Sequence, residues 1–300
     1  MNADRARASG LEEEWNAMTP DTLCYLNGEY LSLSKAHIPV LDRGFIFGDG
    51  IYEVVPAYRK RPFRLEQHLD RLQRSLAEAR IDNPYPREQW HAIIGWLTQS
   101  ATVEDLVVYM QVTRGVAKRD FTFPANVAPT VFAMASPLNR PSPAQRERGL
   151  RTISVPDLRW LRCDIKSVSL LGAVLARQQA ADRGVDEVVQ HRDGRLTEGS
   201  ASNVWVVKSG RVLAPPRDNL ILEGIRYGFI QELCERASIP FDARIISMSE
   251  VRGADELMLS AATREVLPIV ELDGRPIGDG RPGPVYRHLR RGYDEAIDAL

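Results

Sequence analysis

Lysine is scarce in this chain: Lys35, Lys60, Lys118, Lys166 and Lys208 are its five lysines, against thirty-four arginines. An arginine can take nearly any surface lysine's place, but its guanidinium stays protonated and is a poor nucleophile, whereas a desolvated amine can attack a carbonyl. Cysteine is scarce as well. Cys24, Cys163 and Cys234 are odd in number, widely spaced and lack metal-ligand spacing, which speaks against a disulfide framework and fits a reducing compartment, the cytoplasm. Net charge is almost absent, with 39 basic against 40 acidic residues, so neither a nucleic acid nor an anionic membrane is expected as a partner. The opening MNADRARASGLEEEWNAMTP has no apolar core, which is expected of a loosely ordered extension and not of a signal peptide or membrane span. FGDG at Phe47 to Gly50 lacks the GxGxxG and GKS/T patterns of phosphate loops, and no GxSxG elbow occurs. His37, His68, His91, His191 and His288 show no HExxH or paired-cysteine spacing, so no metal is expected.

What is present describes a globular chain, 44% hydrophobic and 26% charged, long enough for two moderate domains. Asn27-Gly28 between short β-prone runs predicts a hairpin, followed by a turn at DRG and a strand over IYEVVPAYR. EQHLDRLQRSLAEARI reads as a helix with Leu65, Leu69, Leu72, Leu76 and Ala79 on one face; WHAIIGWLTQS is the next helix, and LVVYMQVTRG and TVFAMAS are strands. The proline-rich SPLNRPSPAQRERG is expected to be a linker (136–149) between a small N-terminal domain (21–135) and a larger C-terminal one (150–300), with residues 1–20 as the extension. In the second half, strand-like RTISVPDLRW precedes a helix on which Leu171, Val174, Leu175 and Ala181 share a face. Asp193-Gly194 and Ser209-Gly210 mark hairpin turns, a helix starts just after Gly224, and ADELMLSAATREVLPIVELDG is a strand, a small-residue loop and a strand. Hairpins mixed with helices make an α+β pattern.

One lysine stands out by position. Lys166 lies in RCDIKSVSLLGAVLARQQA, immediately before an apolar helix. If it forms a Schiff base, the carbonyl belongs to a substrate or cofactor, most commonly pyridoxal phosphate. That cofactor's phosphate wants a helix N-terminus, backbone amides and an arginine, its pyridine nitrogen a carboxylate, its ring apolar faces. Gly224 with the amides of Ile225 and Arg226 offers the first, as does the small-residue loop Ser260 to Thr263; Arg71 lies on the polar side of its helix, and Glu198 sits in LTEGSASN between strands. Each has an ordinary alternative: a solvated lysine at a helix start, an exposed helical arginine, glycine as punctuation, a turn glutamate in water.

Taken together, DRGFIFGDGIYEVV, HLDRL, YMQVTRG, LRWLRCDIKSVSLLGAVLARQQA, LTEGSASNVW and LEGI resemble, in order and spacing, the fold-type IV pyridoxal-phosphate aminotransferases, most of all the bacterial D-amino-acid aminotransferases. The likeness runs from about Leu23 to Tyr293. It implies a two-domain α+β fold and a ping-pong transaminase acting on a D-alanine-type amino acid and a 2-oxo acid such as 2-oxoglutarate or pyruvate. Lys166 would carry the cofactor and Glu198 would pair with its ring nitrogen. Arg71 and the amides near Ile225, Arg226 and Ala262 would hold the phosphate, Leu222 would pack on the ring, and Gly224, Ser202 and Asn203 would complete the cofactor site. Tyr52, Val54 and Tyr109 would line the substrate side. Arg119 would clamp the substrate carboxylate from a loop contributed by the other subunit of a homodimer.

The chain departs from that pattern in places. Where the D-amino-acid enzymes usually carry Arg-x-His, this loop reads Arg119-Asp120-Phe121. Loss of one charge-assisted hydrogen bond costs roughly 1.5–3 kcal/mol, which weakens carboxylate recognition without abolishing it. Asp120 could dilute the charge of Arg119, and Phe121 favours hydrophobic substrates, including amines without a carboxylate. Arg226 and Ala262 stand where threonines are common. An (R)-selective amine transaminase is therefore the main alternative. An aminodeoxychorismate lyase and a branched-chain L-amino-acid aminotransferase rank lower, the last because GIYEVV lacks the arginine its relatives carry after the equivalent tyrosine.

Overall fold

Asn27 and Gly28 take positive φ, 49° and 104°, and join β1 (Leu23–Leu26) to β2 (Glu29–Ser32) as the Asn-Gly pair predicts. The computed structural model describes residues 22–300, which separate into two compact units meeting in sequence at Leu138 and Asn139. In the first unit β3 (Gly50–Tyr58), β4 (Arg61–Pro62), β5 (Leu106–Thr113) and β6 (Thr130–Pro137) complete an antiparallel sheet of order β2-β1-β6-β5-β3-β4. Strand alternation sorts β3: Ile51, Glu53 and Val55 are buried on one face, Tyr52 and Val54 half-buried on the other. The expected turn at DRG is instead a short helix, α1 (Arg43–Phe47), because the Asp42 carboxylate accepts the Gly44 amide at its start and Gly48 closes it at φ 67°.

Helix α2 (Leu65–Glu78) buries Leu69, Leu72 and Leu76 as their spacing predicts, and α3 (Arg87–Ser100) buries Trp90, Ile93, Ile94 and Leu97. One expectation for α2 is overturned. Arg71 is not on the polar side; it is buried beside Leu72, where a buried carboxylate compensates its charge.

The second unit opens with α4 (Pro143–Arg148), held by a Ser142/Gln145 capping box, so part of the stretch expected as linker is helical. Its sheet runs β12-β11-β10-β13-β14-β7-β8-β9, with β15 paired to β14. The strands are β7 (Leu150–Pro156), β8 (Glu187–Arg192), β9 (Arg195–Leu196), β10 (Asn203–Lys208), β11 (Arg211–Ala214), β12 (Phe241–Ala243), β13 (Glu256–Ala261), β14 (Glu265–Leu272) and β15 (Arg275–Pro276). Both predicted turns form, Asp193-Gly194 and Ser209-Gly210, each with positive φ at both residues. The hairpins are antiparallel, whereas β7 runs parallel to both its neighbours, β14 and β8.

Helix α5 (Leu171–Asp182) turns its large apolar residues outward: Leu171, Val174 and Leu175 are exposed, while Ala176 and Ala180 pack on Val155 and Val188. It is the alanine side that the sheet covers, and the leucine side is left uncovered. Helices α6 (Ile225–Arg236), α7 (Met248–Arg252) and α8 (Pro284–Asp298) complete the unit. The signal for α8 is plain in the sequence: Pro284 at the first helical position, then Tyr286, Leu289, Tyr293 and Ile297 on one buried face.

Leu259, at the centre of β13, packs in a core with Val204, Val206, Leu257, Leu267 and Ile269. Leu259→Ala should lower the unfolding free energy by about 2–5 kcal/mol, since the rigid sheet around it cannot collapse into the cavity. Urea titration of wild type and variant, followed by tryptophan fluorescence, measures the difference.

Candidate functional site

The antiparallel pairing of β10 and β13 sets Asn203 opposite Ser260, which brings the loop before β10 (198–202) and the loop after β13 to one end of the sheet. A third segment arrives at the same point. Asn203 Nδ2 donates to Leu222 O at 2.8 Å, and a Cβ on Gly224 would lie 2.2 Å from Asn203 Oδ1, so a side chain there would push the bonded Asn203 amide aside. Gly224 is the N-cap of α6 and supplies no side-chain cap, so the leading amides of Ile225 and Arg226 point out of the helix end. The Arg226 side chain is buried and donates from Nε to Tyr293 Oη at 3.0 Å; it does not run to solvent.

Glu198 is the acidic centre of this cluster. It is buried, and its Oε2 accepts the Leu222 amide at 3.1 Å and Asn203 Nδ2 at 3.3 Å, while Oε1 takes Arg159 Nη1. Burial pushes its carboxyl up from the ordinary value, and the Arg159 charge and hydrogen bond and the Leu222 amide offset this only in part. A second carboxylate shares the guanidinium: Asp157 receives Arg159 Nε at 2.9 Å and Nη2 at 2.7 Å, and forms an ion pair with Arg192 Nε at 3.2 Å. Burial alone would raise Asp157 as well, but its bonds to Arg159, with Arg192 behind them, hold it well below the usual carboxylate range. In the adjoining loop Ser202 Oγ is buried with no hydrogen-bond partner.

Lys166 belongs to the loop that leaves β7 and carries Asp157 and Arg159. That loop is pinned by Cys163 N to Asn219 O at 2.9 Å, Asn219 Nδ2 to Leu161 O at 2.7 Å and Arg192 Nη2 to Arg159 O at 2.7 Å. Lys166 is half-buried just beyond these ties. Burial pushes the nearby Cys163 thiol up to about 11, so it stays protonated at neutral pH.

The first unit holds the other candidates on two faces of its sheet. Tyr52, Val54 and Tyr109 share one: Val54 pairs with Tyr109 across the strands, and the two tyrosine rings stack at 5.8 Å. Tyr109 donates to Gln111 Oε1 at 2.6 Å, and burial, with Tyr52 adding to it, pushes its phenol up to about 12. On the opposite face Glu53 accepts Arg71 Nε at 2.7 Å and Nη2 at 2.9 Å and contacts His68 Nδ1 at 2.8 Å. Burial would raise the Glu53 carboxyl, but the charges and hydrogen bonds of Arg71 and His68 hold it well below its ordinary range.

Arg119 and Phe121 lie on an exposed loop anchored by Arg43 Nη1 to Asp120 O at 2.6 Å and by Phe123 under the Arg114 guanidinium at 3.7 Å. The Arg119 guanidinium lies 5.4 Å and 5.6 Å from the ring centres of Phe47 and Phe121. Asp120 does not dilute that charge by pairing with it: its carboxylate turns back to accept the Thr122 amide at 3.1 Å.

Sequence reasoning missed Asp157 and Arg159 in the second unit and Glu53 and His68 in the first. Arg159 lies within the LRWLRC stretch and Glu53 adjoins Tyr52, so both were inside motifs already singled out. No periodicity or spacing marks which charges will meet once buried.

Residues 50–272 match the family model described as Amino-transferase class IV. The D-alanine aminotransferase of Staphylococcus aureus strain MSSA476 is 39% identical over 276 residues, 92% of this chain and 98% of that protein. The D-alanine aminotransferase of Staphylococcus haemolyticus is 38% identical, covering 93% and 99%. In fold, the chain is similar to the branched-chain aminotransferase of the thermophilic archaeon Thermoproteus uzoniensis, with a TM-score of 0.84 at 24% identity over 92% of this chain and 95% of that one. It is also similar to a branched-chain amino acid aminotransferase complexed with N-(5'-phosphopyridoxyl)-L-glutamate, with a TM-score of 0.86 at 24% identity over 93% and 95%.

The Glu53 pair makes a pH-dependent prediction. A carboxylate held below its ordinary value of about 4.3 contributes stability that is fully present above that pH and is lost as pH falls through the lower folded value. Glu53→Gln should therefore lower the unfolding free energy by about 3–5 kcal/mol at pH 7, where it takes the Glu53 charge away from the buried Arg71 guanidinium, and by less at pH 3. Urea unfolding of both proteins at the two pH values measures the change.

Proposed function

The chain belongs to the class IV aminotransferases, and on that premise we propose that it is a pyridoxal-phosphate enzyme that moves an amino group between a D-amino acid of the D-alanine type and a 2-oxo acid such as pyruvate or 2-oxoglutarate. The observation that carries this reading is the setting of Glu198, a buried carboxylate at the sheet end, beside an uncapped helix N-terminus and next to the loop that bears Lys166. These residues fit the cofactor's demands. The orphaned Ser202 Oγ, the crowded Gly224 and the leading amides of α6 suit an anionic, tightly held group.

When bound, the cofactor supplies an electron-withdrawing ring that acidifies the substrate Cα–H bond. Glu198 would face the ring nitrogen, with Asn203 and the Leu222 amide fixing its orientation. The amides of Ile225, Arg226 and Ala262 would bind the phosphate and Leu222 would cover the ring. Arg71 gives Nε and Nη2 to Glu53, which fixes the plane in which its guanidinium would meet the phosphate. Lys166 Nζ would hold the cofactor covalently and, as a free amine, would carry a proton from the substrate Cα to the cofactor carbon. Tyr52, Val54 and Tyr109 would shape the substrate side, and Arg119 would bind the carboxylate.

That clamp would come from the second subunit of a homodimer. Supporting this, large apolar side chains stand exposed in both units: Val40, Phe45 and Phe121 in the first, Leu158, Leu171 and Leu175 in the second. The free, buried cysteines fit the cytoplasm. One observation favours an (R)-selective amine transaminase as a second reading: Phe121, 79% exposed, flanks Arg119 with an aromatic ring where a hydrogen-bond donor would strengthen the carboxylate clamp.

In a half-reaction followed by cofactor absorption, D-alanine should convert the enzyme faster than L-alanine or (R)-1-phenylethylamine; preference for the amine would transfer the assignment to the second reading. Lys166→Ala should lose both covalent cofactor absorption and turnover, by more than about 10³-fold. Leu171→Asp with Leu175→Asp should give a folded monomer by sedimentation, without transaminase activity.

A further inference from the structure

We propose that Arg159 is a positioning residue for the reaction: it keeps Glu198 ionised and thereby places the proton shared by that carboxylate and the ring nitrogen on the nitrogen. The inference rests on the pyridoxal-phosphate reading above.

The guanidinium is held in one orientation. Its Nε and Nη2 grip the two oxygens of Asp157 at 2.9 and 2.7 Å, and its own backbone amide donates to Asp157 Oδ1 at 3.1 Å, which leaves Nη1 turned to Glu198 Oε1. Asp157 is fixed in turn by Thr197 Oγ1 at 2.9 Å and the Arg192 ion pair. The side chains of Asp157, Glu198 and Arg159 are 0%, 5% and 13% exposed, so water screens this cluster little. Two carboxylates and two guanidiniums balance. Arg192, however, reaches Asp157 and not Glu198, so among the described residues Arg159 is the cation in contact with Glu198. Remove its charge, and burial drives Glu198 to the neutral acid.

Acceptor geometry shows where that proton would go. A carboxylate oxygen accepts about two hydrogen bonds. Oε2 already takes the Leu222 amide and Asn203 Nδ2, whereas Oε1 takes Arg159 alone and retains one acceptor direction. The ring N–H would donate to Oε1, the oxygen that Arg159 touches. A cation lying against the carboxylate stabilises its negative charge more than it repels a positive charge on the far side of the hydrogen bond, so the proton stays on nitrogen. No atom is gained or lost: the same proton sits on nitrogen with Arg159 present and on Oε1 without it.

The test uses holoenzyme loaded with pyridoxal phosphate labelled with ¹⁵N in the ring, observed by NMR at pH 7. Wild type should show a protonated nitrogen. Arg159→Gln keeps a planar donor and removes the charge; it should show a neutral nitrogen, matching Glu198→Gln, and its half-reaction with D-alanine should slow on the order of 10–100-fold, as when an outer partner of a bound group is lost. Arg159→Lys should restore the protonated signal. A folded Arg159→Gln protein whose nitrogen stays protonated overturns the proposal, since a purely structural role would lower Tm and cofactor occupancy without moving the signal of the bound fraction. If Arg159→Gln does not fold, Arg159→Lys decides: a protonated nitrogen supports the assignment and a neutral one overturns it. Failure of the underlying cofactor reading is seen separately, as wild type that takes up no label.

Discussion

Burying a carboxylate obliges the fold to compensate its charge, and at three buried glutamates of this structure arginines do so. Glu198 has Arg159, Glu53 has Arg71, and Glu265, fully buried with φ at 55°, gathers Arg140, Arg146 and Arg290. Each pairing uses the arginine fork, which meets a carboxylate at two nitrogens or bridges two carboxylates while remaining charged. Such pairs add little net stability over an apolar alternative, but they hold groups in fixed directions, and losing one partner is costly. The arginine excess noticed in the sequence thus finds its use in the interior as well as on the surface.

The other constraint is close approach. The segments around Glu198 meet because Gly224 has no side chain to strike Asn203 and because Gly199, whose Cβ would lie 2.2 Å from Ser202 Oγ, lets its loop fold tightly. On α5 small residues again make the contact, Ala176 and Ala180 packing on Val155 and Val188. Its leucine face stays exposed, in keeping with the homodimer proposed above.

The local elements were legible because they depend on neighbours in sequence. Asn27-Gly28, Asp193-Gly194 and Ser209-Gly210 turn where expected, α2 occupies its periodic stretch, and α6 starts just after Gly224 as expected. Two misses were local caps: Asp42 made a helix of the DRG turn, and a capping box made a helix within the proline-rich stretch. The third was tertiary, where packing on the sheet selected the alanines of α5 over its leucines.

By itself the sequence determined the hairpin turns and most of the elements, the membership implied by collinear motifs, and the one lysine set before an apolar helix, because each is written in adjacent residues. Only the tertiary structure decided that Arg71 is buried on Glu53, that Asp120 turns away from Arg119, and that Arg159 bridges Asp157 to Glu198. The physical reason is that charges find their partners across the fold: Arg159 and Glu198 are thirty-nine positions apart, and the attraction between them becomes strong only after packing has excluded the water that would screen it.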